Sequence, residues 1–363
     1  MAVEYRQALR GVTPYKPARS LESVRREYGL EEIIKLAGNE NSHGASPLVA
    51  RALAEFNSEL TRYPDMHCTA LRSALAEKLG LGHEQLVFGN GSFELISLVA
   101  QTFLAPGDEA IIPAPSFGWY TVAITQAGGV PVHVALDDHC VDLGAVLAAV
   151  TDRTRAVCLV NPNNPTGTYF TRARLDAFLG ALREDILVIL DEAYIDFVYG
   201  EDFPDGLDVI RSHGNAVALR TFSKVYGLAS LRIGYAAAQP GIIDAISRAK
   251  QPLNVNGAAQ AAAVAALRDS GHYDHVVGEN ARGRQLYYRS LGEWGIPYIP
   301  TQGNFIMFDT GRDSAQLELE YLKRGVLIRR GAEFGMPTWL RVTIGTEREN
   351  LKVLSILREL LNL

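Results

Sequence analysis

The sequence predicts an α/β protein with a mainly parallel sheet flanked by helices, joined to a smaller α+β unit. In the middle of the chain, short apolar runs without polar alternation separate helical stretches, a pattern typical of strands buried on both faces of a parallel sheet. Over the last hundred residues the pattern changes to short strands that are closed by an amphipathic helix. With 363 residues, 47% of them hydrophobic, the chain can bury the cores of about two domains.

The elements of the large unit follow from these patterns in chain order. Helices are predicted from Thr69 to the glycines at 80 and 82, and from Ser92 through SFELISLVAQTFL. Strands are predicted at 156–160, 185–190, 215–220 and 233–238, where the runs are apolar throughout. A third helix begins near Gly257, and its alanine content predicts close packing against other helices.

The smaller unit is predicted from the end of the chain and from its beginning. Its strands are expected at 305–308, 325–330 and 339–345, and its closing helix at 350–361. The resulting division places the large domain at 39–260, and the small domain at 1–38 and 261–363.

Composition excludes several classes of partner. The net charge of −6, with charges of both signs interspersed, gives no basic surface for nucleic acid or for a membrane. No run is long and apolar enough to cross a bilayer, and the N-terminus lacks a signal-peptide core. Cys68, Cys140 and Cys158 are too sparse for a disulfide framework or a structural metal site. We therefore expect a cytoplasmic protein without a metal.

Three of the predicted strands are followed by polar side chains that carry chemistry. Asn164 lies in NPNNPTG after the first of these strands, and Asp191 and Tyr194 lie in DEAY after the second. Lys224 lies in TFSK after the third. Because ligands of parallel α/β sheets bind outside the carboxyl ends of the strands, we expect these four side chains to converge.

An amide, a carboxylate, a phenol and an amine suit pyridoxal 5′-phosphate. The cofactor's aldehyde forms an imine with an amine, which Lys224 would supply. A carboxylate such as Asp191 keeps the pyridine nitrogen protonated, and Asn164 and Tyr194 can serve the ring's phenolic oxygen. The phosphate needs a helix N-terminus, hydroxyls and an arginine, which FGNGS at 88–92 and the later residues Thr221, Ser223 and Arg232 would provide.

Each of these signals has an ordinary explanation when it is taken alone. A lysine after a strand is usually a surface residue, and an aspartate there is often a helix cap. NPNNPTG can be a tight turn, and GNGS is not a dinucleotide-binding motif. The prediction depends on the order of the signals and on their shared place at strand ends.

Several segments resemble the signature sequences of the fold-type I, class I/II aminotransferases. NPNNPTG, LDEAY and SKVYGLASLRIGY carry the resemblance, which extends from TPYKPARS to WLRVTIGT. LAGNEN, RYPD and FGNGS further resemble the branch that uses histidinol phosphate. The resemblance implies a homodimer with active sites at the subunit interface. It also implies ping-pong transfer of an amino group between histidinol phosphate, or a similar small-molecule donor, and 2-oxoglutarate.

The resemblance implies a role for each matching residue. Lys224 would be the covalent anchor and proton shuttle, while Asp191, Asn164 and Tyr194 would hold the ring and Phe117 would stack on it. The cofactor's phosphate would be held by Gly91, Ser92, Thr221, Ser223, Arg232 and, reaching over from the second subunit, Tyr63. The substrate would meet Asn39, Asn164, Arg341 at its α-carboxylate, and Tyr15 and Arg329 at a distal phosphate.

Three positions depart from the family's pattern. Phe93 replaces the acidic residue after FGNGS, Ser42 replaces the proline after LAGNEN, and Arg330 stands where an acidic residue or a proline is expected. These departures leave open a different amino donor, such as an aromatic amino acid.

Two further functions are compatible with the same fold. A decarboxylase of phosphorylated amino acids would use the same lysine and would release carbon dioxide without consuming 2-oxoglutarate. A non-enzymatic regulator would bind the cofactor without turning over a substrate. For a regulator we would expect a DNA-binding domain ahead of LAGNEN, where only a short segment stands.

Overall fold

A computed structural model describes residues 3–12 and 21–363. Its helices are α1 Leu21–Tyr28, α2 Pro47–Phe56, α3 Thr69–Leu79, α4 Ser92–Phe103, α5 Trp119–Ala127, α6 Leu143–Ala148, α7 Arg172–Ala181, α8 Gly206–Ser212, α9 Pro240–Ala249, α10 Gly257–Leu267, α11 Ser270–Glu293, α12 Ser314–Lys323 and α13 Glu347–Leu361. Its strands are β1 Ile34–Lys35, β2 Leu86–Gly89, β3 Glu109–Ala114, β4 Val130–Ala135, β5 Thr154–Val160, β6 Leu187–Asp191, β7 Ala216–Thr221, β8 Gly234–Ala238, β9 Tyr298–Ile299, β10 Phe305–Asp309, β11 Val326–Leu327, β12 Arg329–Arg330 and β13 Trp339–Thr343.

Seven strands form the large sheet, in the order β2-β8-β7-β6-β5-β3-β4. Strands β7, β6, β5, β3 and β4 run parallel, whereas β8 runs antiparallel to both of its neighbours. Apolar cores cover both faces of the sheet: Val188 and Ala218 lie in one, and Ile189 and Leu219 in the other. The predicted mainly parallel sheet flanked by helices is confirmed, and the antiparallel direction of β8 is the feature that its apolar run did not reveal.

Local sequence explains where the helices around the site begin and end. Gly80 ends α3 with a φ of 61°, a left-handed conformation that glycine adopts without steric cost. Asn256 begins α10 by accepting the backbone N–H of Ala259. Helix α10 packs on α2 and α3, as its alanine content predicts. Ala262 and Ala263 are fully buried as a result. The helix predicted from Gly257 through AAQAAAVAALRDS ends at Leu267, and α11 follows after Asp269, whose side chain caps it.

The C-terminal strands build a second, antiparallel sheet in the order β12-β13-β10-β9. Residues 325–330, predicted as one strand, form two: β11 pairs with β1, and β12 pairs with β13. The chain changes sheets at Ile328, whose side chain is buried in the local core. Ile34 and Leu36 from the N-terminal region belong to this same core, beside Val342 and Val353.

The division into domains stays a prediction, although the packing bears on two of its boundaries. The short 3-10 turn Gln7–Leu9 lies against α5 of the large unit, while β1 joins the smaller one. Helix α10 packs in a core of the large sheet, so a boundary drawn at residue 261 would cut through it. Helix α11 runs from one unit to the other, since Tyr287 lies in the core of the small sheet and Val276 packs with Phe197.

Candidate active site

Three neighbouring parallel strands bring the predicted polar residues to one edge of the large sheet. Asn164 follows β5, Asp191 ends β6, and Lys224 follows β7. Tyr194, three residues beyond Asp191, accepts a hydrogen bond from the amide of Asn164 at 3.1 Å. Lys224 Nζ lies 5.5 Å from the centre of the Tyr194 ring. The four side chains therefore converge.

Asp191 is a buried carboxylate whose environment is only partly polar. Its side chain is 2% exposed, and Oδ2 accepts a hydrogen bond from the Tyr120 hydroxyl at 3.0 Å. The backbone N–H of Ala193 donates to Oδ1 at 3.2 Å. Burial raises the pKa of Asp191 to about 6, against the opposing effect of these two donors. Such a carboxylate gains stability when a cationic group comes to lie beside it.

Lys224 is held by main-chain carbonyls from the LAGNEN segment. Nζ donates to the carbonyl oxygen of Asn39 at 3.0 Å and to that of Gly38 at 3.3 Å. Burial first, and then the positive charge of Arg341, lower the pKa of Lys224 to about 8. A larger fraction of this amine is therefore uncharged near neutral pH than of an ordinary lysine, as a nucleophile or a base requires.

Asn39 connects this edge of the sheet to the smaller unit. Its amide donates to the Tyr194 hydroxyl at 3.0 Å, and its backbone N–H donates to Thr343 Oγ1 at 2.9 Å. The phenolic oxygen of Tyr194 accepts from both Asn39 and Asn164, so its own proton remains free for a third group. Burial raises the pKa of Tyr194, which keeps the phenol protonated near neutral pH.

The start of α4 forms a cradle with the predicted phosphate-binding residues. Gly91 precedes the helix with a φ of 77°, and a Cβ there would collide with the guanidinium of Arg232. Thr221 and Ser223 are nearly buried beside it, and the Thr221 hydroxyl accepts the backbone N–H of Ser223 at 3.0 Å. Free backbone N–H groups at a helix start, two hydroxyls and a guanidinium are groups that bind phosphate.

Phe117 stands between this cradle and Asp191 as part of an aromatic cluster. Its ring meets Phe93 edge-on, with centroids 5.2 Å apart, and Tyr120 with centroids 6.4 Å apart. Tyr120 is the residue that hydrogen-bonds Asp191, and sequence reasoning missed it. Its place three residues after Phe117 in APSFGWY was the available signal, and the backbone N–H of Tyr120 donates to the Phe117 carbonyl at 3.2 Å.

Two arginines lie next to each other on the neighbouring strands β12 and β13 of the small sheet. Arg329 and Arg341 are paired in register, so they are neighbours on adjacent strands. Arg341 Nη1 donates to Asn164 Oδ1 at 2.5 Å and Nη2 to the Ala37 carbonyl at 2.9 Å. The Nε of each arginine is buried without a hydrogen-bond partner among the described residues. Unpaired buried cationic donors are costly, so this place suits an anion.

Comparison with known proteins identifies the family of this chain. The sequence model described as "Aminotransferase class I and II" matches residues 31–357. The chain belongs to this aminotransferase family. The predictions of the family and of an aminotransferase are thereby confirmed.

Close relatives of this aminotransferase cover nearly all of both chains. A histidinol-phosphate aminotransferase of Moorella thermoacetica is 44% identical over 98% of this chain and 92% of its own. Histidinol-phosphate aminotransferase 2 of Carboxydothermus hydrogenoformans is 43% identical over 99% of each. The histidinol-phosphate aminotransferase of Sinorhizobium meliloti, solved in complex with pyridoxal-5′-phosphate, has a TM-score of 0.89 and 26% identity over 100% of this chain and 98% of its own.

One residue predicted for this aminotransferase, Tyr63, lies away from the cluster on the single chain. Tyr63 lies in the connection between α2 and α3, with 88% of its side chain exposed. Tyr15 lies outside the described residues. The roles of these and of the other site residues stay predictions.

The three departures from the family's pattern occupy different surroundings. Phe93 packs on Phe117 and lies 5.9 Å below the guanidinium of Arg232. Ser42 lies in the loop before α2, where Asn41 donates to the Val225 carbonyl at 2.8 Å. Arg330 is ion-paired at the rim of the small sheet.

Within 3–12 and 21–363, no cluster of three or more His, Cys, Asp or Glu side chains could hold a metal ion. No helix in this part of the chain is long and apolar enough to cross a membrane.

Proposed function

We propose that this aminotransferase uses pyridoxal 5′-phosphate to move an amino group between histidinol phosphate and 2-oxoglutarate. The observation that carries the proposal is the convergence of Lys224, Asp191 and Tyr194 at the ends of two adjacent parallel strands. The names of the relatives and the cofactor in the Sinorhizobium meliloti structure support it. Free thiols at Cys68, Cys140 and Cys158 fit a reducing compartment, which we take to be the cytoplasm.

The residues present fit this cofactor. Asp191, whose pKa is raised to about 6 by burial, would be stabilised as a carboxylate by a protonated pyridine nitrogen. The cradle at Gly91 leaves the Arg232 guanidinium against the start of α4, as a phosphate group needs. The free proton of Tyr194 can be donated to the ring oxygen, and Phe117 offers a flat apolar surface. When bound, the cofactor supplies an aldehyde that takes up the amine and a ring that accepts electrons.

The side chains of this protein would carry the remaining steps. Lys224 Nζ anchors the aldehyde and, once displaced by the donor's amine, accepts the proton that leaves the donor's α-carbon. Its lowered pKa, about 8, leaves part of the amine unprotonated for this task near neutral pH. Arg341 and Arg329 bind the anionic group of the substrate, and their two unpaired N–H groups find acceptors there.

One arginine pair can serve both half-reactions. Histidinol phosphate carries its phosphate, and 2-oxoglutarate a carboxylate, close to the carbon that loses or gains the amine. The two substrates of a ping-pong reaction occupy the site in turn, so the same arginines would meet each anion. This reasoning favours a donor with an anion near its amine over one whose anion lies far away.

The test is a comparison of single amino donors without an acceptor. Holoenzyme is mixed with histidinol phosphate, phenylalanine, tyrosine, aspartate or lysine, and loss of the visible band of lysine-bound cofactor is followed. Histidinol phosphate should react fastest, and Lys224→Ala should not turn over with any donor. An aromatic amino acid that reacts fastest would overturn the choice of donor and favour the second candidate, an aromatic aminotransferase, for which the partly exposed ring of Phe93 beside Phe117 is the supporting observation.

A homodimer completes the proposal. Leu60, Tyr63 and Met66 form an exposed apolar stretch between α2 and α3 on the single chain. Exposed apolar patches commonly mark protein–protein contacts, and two-fold dimers are the commonest assembly. We infer that this stretch faces the second subunit, with Tyr63 directed to its cofactor phosphate.

A further inference from the structure

The turn that follows β12 places a carboxylate against two arginines. Glu333 lies in the 3-10 turn Gly331–Phe334, and its Oε2 is 2.8 Å from Arg329 Nη2. The other oxygen, Oε1, is 3.3 Å from Arg330 Nε. Neighbouring residues of a strand point to opposite faces of the sheet, so Arg329 shares a face with Arg341 and Arg330 lies on the other face. Glu333 is paired with both Arg329 and Arg330.

The position of this carboxylate is fixed by the local backbone. A Cβ at Gly331 would collide with the carbonyl oxygens of Met336 and Trp339, so the turn can close this tightly only with glycine. The backbone N–H of Met336 donates to the Gly331 carbonyl at 3.0 Å, which closes the turn. The ring of Phe334 packs 5.2 Å from the Arg341 guanidinium. The turn therefore contacts Arg341 through Phe334, and Arg329 and Arg330 through Glu333.

Glu333 supplies the negative charge that the arginine pair otherwise lacks. Arg329 and Arg341 repel each other, and this repulsion contributes, after burial, to the lowered pKa of Arg341. An incoming phosphate would meet Arg329 with Glu333 still attached to it, and the two anions would repel. Arg330 can hold the carboxylate of Glu333 once a phosphate has displaced it from Arg329. Glu318, whose Oε2 lies 3.8 Å from Arg330 Nε, balances the charge of Arg330.

We propose that Glu333 and Arg330 form a specificity-determining pair. In the absence of an anionic substrate the carboxylate of Glu333 is paired with Arg329, and when a phosphate binds to Arg329 the carboxylate stays paired with Arg330 alone. The inference deepens the proposed function and depends on its assignment of Arg329 to the substrate's anion. It gives a function to Arg330, one of the three residues that depart from the family's pattern. It also predicts that changes at the two residues have opposite signs, which a purely structural ion pair would not produce.

The experiment measures binding of inorganic phosphate to holoenzyme at constant ionic strength by calorimetry. Holoenzyme is used because its cofactor fills the cradle at Gly91. Glu333→Gln removes the competing charge and should tighten phosphate binding about three- to fivefold, the range expected for a partly exposed ion pair. Arg330→Ala removes the alternative partner and should weaken binding by a similar factor. The double variant should behave like Glu333→Gln, since Arg330 acts only through Glu333.

Two further measurements make the test specific. With acetate, a monoanion, the effect of Glu333→Gln should be smaller than with phosphate, because repulsion scales with charge. In turnover with histidinol phosphate, the change should fall on KM and not on kcat, as expected when binding alone is altered. Glu32→Gln, which breaks an exposed ion pair with Arg348 on the outer surface, is the matched control and should change none of these quantities.

The outcomes separate this inference from the proposed function. Opposite-signed shifts in phosphate affinity support the pair even if another donor proves to react fastest with the holoenzyme. Equal affinities in the wild type, Glu333→Gln and Arg330→Ala overturn it, even if histidinol phosphate is the preferred donor. Weaker phosphate binding in both single variants would also overturn it, because it would assign them a common structural role.

Discussion

Lys224 combines two demands that are usually in conflict, since its amine must be positioned by hydrogen bonds and yet remain partly uncharged. The carbonyls of Gly38 and Asn39 position it, while burial and the charge of Arg341 lower its pKa to about 8. For a lysine whose pKa lies below its usual value of 10.5, the neutral form appears as the pH rises through 8 and not through 10.5.

We therefore expect the rate at which apoenzyme captures pyridoxal phosphate to rise with pH, with a midpoint near 8. Only the unprotonated amine of Lys224 adds to the cofactor's aldehyde. The rate is measured by stopped-flow absorbance at the visible band of the lysine-bound cofactor. Arg341→Ala should move the midpoint upward, because it removes the largest charge that opposes protonation. A midpoint near the usual value of 10.5 would contradict this account of the amine.

Phe93 carries the second prediction at the scale of single residues. Its ring supports Phe117 edge-on and lies below the guanidinium of Arg232. Phe93→Leu should weaken the affinity of apoenzyme for pyridoxal phosphate about three- to tenfold, the loss expected from one aromatic and one cation–π contact. Equilibrium dialysis measures it. Phe93→Tyr keeps an aromatic ring and should retain the wild-type affinity. Leu319→Ala, at another partly exposed apolar residue, should also leave the affinity unchanged. Identical affinities in all four proteins would exclude this role.

At the scale of elements, a buried ion pair connects the strands that carry the site. Arg220 at the end of β7 donates to Glu192 after β6 at 2.8 Å and to Asp205, the cap of α8, at 2.6 Å. The second carboxylate oxygen of Glu192 accepts the first N–H of α8, from Gly206, at 2.5 Å. This arrangement fixes the spacing of Asp191 and Lys224, which lie close to the paired residues along the chain.

Arg220→Leu should lower the free energy of unfolding by about 3–5 kcal/mol, because it leaves Glu192 buried without its cation. Urea unfolding of apoenzyme measures the change. Arg348→Leu breaks a pair that is more than half exposed and should cost less than about 1 kcal/mol. If the two substitutions had equal effects, Arg220 would not have the proposed role in the structure.

The same elements indicate what the sequence can predict. The parallel strands β5, β6 and β7 were predictable because burial on both faces leaves continuous apolar runs, and the site was predictable because polar residues follow those runs at one edge. The antiparallel direction of β8 was not, since a fully buried strand is apolar in either direction. Tyr120 and Glu333 were missed because their partners, Asp191 and Arg329, are joined to them by tertiary packing or by a tight turn and not by a periodic pattern.

At the scale of the whole molecule, the site is assembled from both sheets. Lys224 and Tyr194 come from the large sheet, Arg341 comes from the small one, and Asn39 joins them through hydrogen bonds to Tyr194 and Thr343. Tyr63 remains exposed on the single chain, so its predicted contact with a cofactor requires a second copy of the chain. The proposed role of Tyr63 thus makes the oligomer a condition for a complete site.

Mixing two inactive variants tests this condition. Lys224→Ala lacks the anchoring amine, and Tyr63→Ala should bind the cofactor's phosphate poorly. If Tyr63 serves the other subunit, a hybrid dimer has one site with both native residues, and random reassociation of equal amounts should restore about a quarter of the wild-type activity. Transamination is measured after joint refolding, and each variant refolded alone is the control. If Tyr63 served its own subunit, no site in the mixture would be complete, and the activity would not exceed the mean of the two controls.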